Sequence, residues 1–84
     1  MKYRGKIIVV LRPGVFDPQG VTVRNALHTL GYGEVEEVKT GKFFEVILEA
    51  EHEEQARKRL QEMCDQLLAN PVIERYSFDL EVEK

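Results

Sequence analysis

The 84-residue sequence holds one cysteine, so no disulfide can form within it, and a reducing cytoplasm is the expected setting. No apolar run approaches the roughly 18 residues that a membrane span needs. Met1 to Lys6 carries positive charge but no long apolar core or small-residue cleavage site, and reads as the entry to a strand. There is no surplus of basic residues. The formal charge is −3, which argues against a nucleic-acid module needing a basic face for phosphates. His28 and His52 each stand without a second ligand at metal spacing. No glycine-rich loop feeds a helix, so the Lys39, Gly41, Lys42 stretch reads as turn chemistry rather than a nucleotide site. No repeat, linker or low-complexity tract interrupts residues 1–84, which are expected to form one domain.

Apolar residues make up 43% and charged residues 32%, ordinary for a soluble globular chain. A chain of this size buries only about 60–65% of the surface exposed on unfolding, so its core is small and oligomerisation is a common remedy. The stretch from Met63 to Tyr76 organises the rest. Ala56, Leu60, Met63 and Leu67, widened by Cys64 and Leu68, form a core-facing helical stripe. Asn70 suits a left-handed helix end, and Pro71 cannot continue a helix. Beyond them Tyr76, Phe78, Leu80 and Val82 alternate with Ser77, Asp79, Glu81 and Glu83, the pattern of a strand with one wet face.

Ile7 to Leu11 is an unbroken apolar run, the mark of a central strand covered on both faces. Asp17 and Pro18 predict a helix start, and Val23, Ala26, Leu27 and Leu30 its buried stripe, closed by Gly31 and Gly33. Glu34 to Lys39 reads as a weaker, frayed strand, joined by a hairpin turn at residues 39–42 to a strand from Phe43 to Ala50. The second helix is expected from about His52 to Ala69, with Glu53/Arg57, Glu54/Lys58 and Lys58/Glu62 paired on its wet side. The order βαββαβ predicts a two-layer α+β sandwich of the ferredoxin-like type, an antiparallel sheet with two helices on one face. The other face is then bare. Ile8, Val10, Phe43 and Ile47 are its candidate apolar residues, and they predict a homo-oligomer.

Catalytic chemistry is hard to find. Cys64 lies on the apolar side of its helix, away from any helix N-terminus, and reads as a small hydrophobe. Asp17, Glu74 and the acidic residues of the second helix show no paired arrangement suited to acid–base work. Gly20 is the anomaly. In the first turn of a helix glycine costs about 0.5–1 kcal/mol relative to alanine, so close approach by another chain or by backbone is expected there.

Asp17-Pro18-Gln19-Gly20 with Ala26-Leu27, then Gly41-Lys42, then Met63-Cys64, Leu67 to Glu74 and Tyr76 resemble the PurS family over almost the whole chain. These are small subunits of phosphoribosylformylglycinamidine synthase in purine biosynthesis. Two positions depart: Arg75, where the family is often acidic, and Lys39, where it often has arginine.

The resemblance implies a non-catalytic subunit of an ATP-dependent ligase complex. Such a subunit would join a PurQ glutaminase to a PurL synthetase and assist ammonia transfer, and the complex would convert formylglycinamide ribonucleotide and glutamine to the amidine and glutamate. ATP and Mg would be used by the complex and no cofactor bound by this chain. Ammonia released into water at neutral pH becomes mostly ammonium, so a bridging subunit would act by sequestration. The partner-contact candidates are Asp17, Pro18, Gln19, Gly20, Gly41, Lys42, Asn70, Pro71 and Glu74. The order of elements predicts Asp17 and Asn70 at opposite ends of the sandwich. A dimer or tetramer is expected, with no nucleic acid and no membrane as partner. The alternative is an ACT-like module that binds a small molecule. An RNA-binding sheet ranks below both, because Ile7 to Leu11 offers no aromatic residue.

Overall fold

A computed structural model describes residues 1–83. Strand β1, Lys2–Leu11, leads to helix α1, Pro18–Thr29. Strand β2, Gly41–Glu49, leads to helix α2, Glu53–Met63, and strand β3, Glu74–Val82, follows. The sheet order is β2-β1-β3, antiparallel throughout, so the apolar run is the central strand. The architecture is the expected ferredoxin-like α+β class. Within it, residues 35–40 pair with no strand, so the frayed strand and its hairpin do not form. Val35 and Val38 are three apart and cannot share one face of a pleat, while β2 pairs with β1 instead.

One sheet face carries the core. Tyr3, Ile7 and Val9 of β1 are buried there beneath Ala56, Leu60 and Cys64 of the α2 segment. Gly5 sits under Leu60, and a Cβ at Gly5 would collide with the Leu60 side chain, so this glycine sets how closely α2 approaches β1. His52 caps α2, its Nδ1 accepting from the Gln55 N–H at 3.2 Å. Of the expected helix ion pairs, Glu53–Arg57 forms at 3.0 Å.

Past Met63 the helix widens into a π-turn, Cys64–Leu68, in which the Ala69 N–H donates to the Cys64 carbonyl at 3.0 Å. The extra residue rotates the stripe. Ala69 turns inward and Leu67, expected in the core, is 83% exposed. The stop also differs. Ala69 ends the helix in extended conformation, and no non-glycine residue among those described has positive φ, so Asn70 is not left-handed. Its side chain does the work instead, accepting from the Val72 N–H at 3.0 Å.

Helix α1 is a different case. Leu30, Gly31 and Tyr32 close it with paired backbone bonds, Gly31 at φ 103°. Yet Gly20 is its one buried residue, Val23 and Leu30 are 38% and 72% exposed, and α1 packs extensively against no other element. The radius of gyration is 16.5 Å, against about 12 Å for a compact chain of this length.

The far sheet face is bare, so β1 is covered on one side only. Ile8, Phe43 and Ile47 are more than half exposed there, with Ile8 and Phe43 opposite one another and Val10 on the same face. The same face also carries an ionic cluster, with Arg4 of β1 reaching Glu45 of β2 at 2.6 Å and Glu83, just past β3, at 2.7 Å. No helix among the described residues is long and apolar enough to cross a membrane.

Candidate functional site

The segments singled out in the sequence converge where β1 ends. Register puts Gly41 opposite Val10 and Glu74 opposite Leu11, so β2 and β3 both begin at the point where β1 stops. Asp17 opens α1 beside the same end. Asp17 and Asn70 are therefore at one end of the sheet rather than at opposite ends. The two ends coincide because β3 runs antiparallel to β1, so the chain leaves β1 toward Asp17 and enters β3 from Asn70 at the same end of the sheet.

Asp17 ties the helix to the incoming β2. One carboxylate oxygen accepts from the Gly20 N–H at 2.9 Å and the other from the Thr40 N–H at 2.7 Å. The Thr40 hydroxyl lies 3.0 Å from both. These donors, the Thr40 amide foremost, hold the Asp17 carboxyl below the usual carboxylate range. Gly20 is explained by its own chain. A Cβ there would run into the Val38 carbonyl oxygen, so the residue seats α1 against residues 36–40. Pro18 and Gln19 are exposed in the first turn.

A second knot joins α2 to β3. Glu74, buried, accepts from the Asn70 N–H at 2.7 Å, and Lys42 faces its other oxygen at 3.3 Å. The Asn70 amide first, and then Lys42, lower the Glu74 pKa. Arg12 bridges across: its N–H donates to the Ile73 carbonyl at 2.8 Å and its Nε to the Pro71 carbonyl at 3.1 Å. Gly41 lies against the Val9 carbonyl, which a Cβ would approach to 2.6 Å. Arg12 and Thr40 were not singled out in the sequence. Neither belongs to a periodic pattern, and each acts through a contact distant along the chain.

Two hollows open at this end. The larger, about 740 Å³, lies between residues 12–17, the start of α1, residues 36–40 and the edge of the bare face. The smaller, about 250 Å³, is lined by Cys64, Asp65 and Tyr76 among others. Burial raises the Cys64 pKa, aided by Asp65, so the thiol stays protonated and unreactive. Desolvation, then the bond to Asp65 at 2.8 Å, pushes the Tyr76 pKa up to about 12. The carboxylate beside both groups, Asp65, accepts from Tyr76 and raises both pKa values, so it favours their protonated forms. Among the described residues no three histidine, cysteine, aspartate or glutamate side chains converge on a metal position.

The family described as PurS: Phosphoribosylformylglycinamidine (FGAM) synthase matches residues 4–82. The phosphoribosylformylglycinamidine synthase subunit PurS of Synechocystis is 50% identical over 78 residues, 93% of this chain and 78% of that one. The crystal structure of Methanocaldococcus jannaschii PurS superposes with a TM-score of 0.87 at 41% identity, covering 98% and 99% of the two chains. A chain of the PurLQS structure from Thermotoga maritima superposes with a TM-score of 0.88 at 31% identity, covering 96% and 99%.

Proposed function

The chain belongs to the PurS family of phosphoribosylformylglycinamidine synthase subunits, and from that premise we propose that it is the non-catalytic bridge of that complex. It joins a PurQ glutaminase to a PurL synthetase in the cytoplasm and helps ammonia pass between them. The complex uses ATP and Mg to turn formylglycinamide ribonucleotide and glutamine into the amidine and glutamate. The observation that carries this reading is the match over nearly the full length to a chain of a PurLQS structure. The absence of an activated nucleophile around Cys64 and Tyr76 agrees with a role in sequestration rather than bond-making.

The partner surface is the end of the sheet where Asp17, Pro18, Gln19, Gly20, Gly41, Lys42, Asn70, Pro71 and Glu74 gather. Several of these residues also build the fold, so the docked partners meet a rigid end rather than a loose loop. Around it lie Phe16 at 72% exposed and Val72 at 79%, apolar side chains with water as their only cover in the lone protomer. Copies of the chain associate, as dimer or tetramer, through the bare face of Ile8, Val10, Phe43 and Ile47 and through the uncovered stripe of α1. The extended shape of the lone protomer supports this.

Co-expression with a PurL synthetase and a PurQ glutaminase tests the reading. All three should elute together from size exclusion in the presence of ATP, Mg and glutamine. Elution of this chain apart from both enzymes contradicts it.

A further inference from the structure

The larger hollow is lined by three arginines from three separate parts of the chain. Arg12 follows β1, Arg24 lies on α1 and Arg75 on β3. None forms an ion pair among the described residues. The Nε of Arg24 is shielded from solvent with no hydrogen-bond partner, so a ligand in the hollow would have to engage the rest of its guanidinium. Charged donors are rarely left so, because withdrawing one from water without an acceptor is costly. The carboxylates nearby do not answer the demand. Asp17 is saturated by Gly20 and Thr40. Glu36 and Glu37 are exposed to water, and Glu37 is shared with Lys39 at 3.9 Å.

We infer that this hollow binds a phosphate monoester of a small organic molecule. Guanidinium groups match phosphate oxygens through paired N–H donors, and a phosphate monoester carries close to two negative charges at neutral pH, more than a carboxylate can offer. Arg12 spends its Nε on the Pro71 carbonyl and keeps its terminal nitrogens for the ligand. The volume leaves room for an ester and not only for a bare ion. About 740 Å³ lies within the range of small-molecule sites and far exceeds one phosphate. Val10, Val15, Val21 and Val38 supply apolar wall for the organic part. The site is complete within one chain and needs neither enzyme partner, so it stands or falls independently of the bridging role.

Ribose 5-phosphate, inorganic phosphate and plain ribose, titrated into the full chain at constant ionic strength, test it. Arginine Nε–H resonances and calorimetry would both be followed. Ribose 5-phosphate should bind saturably with Kd of about 1 mM or tighter, shift the Arg24 Nε–H signal, and outcompete inorganic phosphate. Arg24→Gln and the exposed Arg75→Gln should each weaken binding by about tenfold or more, as loss of a charged hydrogen bond does. Their circular dichroism should be unchanged. No saturation by about 10 mM, equal binding of ribose, or full binding by folded Arg75→Gln would overturn the proposal. Inorganic phosphate binding as tightly as the ester would also overturn it, leaving a site for the bare ion.

Discussion

Helices α1 and α2 carry apolar stripes of the same helical period, and the chain treats them in opposite ways. Ala56, Leu60 and Cys64 are fully buried against the sheet, with Gly5 clearing room for Leu60. Val23 and Leu30 face water, and α1 is fixed chiefly at its first turn, through Asp17 and Gly20. Periodicity identifies a face that wants cover. It does not say which molecule supplies the cover. In α2 the cover is the chain's own sheet; in α1 no described element of the chain supplies it, and assembly is the cover we propose.

The largest effect should come from pairing Leu60→Ala with Leu30→Ala. Emptying the fully buried Leu60 site should cost about 3 kcal/mol, read by urea unfolding at fixed chain concentration. The exposed Leu30 should move that value by no more than about 0.5 kcal/mol while weakening self-association in light scattering. Equal losses of stability would erase the contrast between the helices.

Next is the anchor of α1. Gly20→Gln forces a side chain toward the Val38 carbonyl and should destabilise by about 2 kcal/mol, with faster amide exchange confined to α1 and residues 36–40. A more stable variant, as helix propensity alone predicts, would mean that the seat is not tight. The smallest effect concerns pH. Asp17 has its folded pKa lowered, so its contribution is fully present above the unfolded value near 4 and is lost as pH falls through the folded value. Protection of α1 amides should therefore decline below about pH 4, and Asp17→Asn should flatten that decline. Glu74 adds a fall of the same sign around Asn70. An unchanged profile in Asp17→Asn would sever the link between the cap and the helix.

Much of this was legible in sequence because it was local. The alternation of β3, the central run of β1, the Asp17-Pro18 start of α1 and the bare-face quartet all stand where residue pattern puts them. What escaped was set by contacts distant along the chain. A π-turn added one residue to the α2 stripe and turned Leu67 out. Gly20 was kept small by the Val38 carbonyl rather than by a partner. The meeting of Asp17 with Asn70's end of the sheet followed from β3 pairing antiparallel with β1. Arg12, Arg24 and Arg75 share no spacing that could mark them as neighbours.

If this chain contributes connection rather than chemistry, as we propose, synthesis driven by two nitrogen sources will separate the two. A PurL synthetase and a PurQ glutaminase would be assayed for amidine formation with glutamine and, separately, with ammonium, with and without this chain. Glutamine-driven synthesis should collapse without it while ammonium-driven synthesis continues. Undiminished glutamine-driven synthesis in its absence would contradict the account.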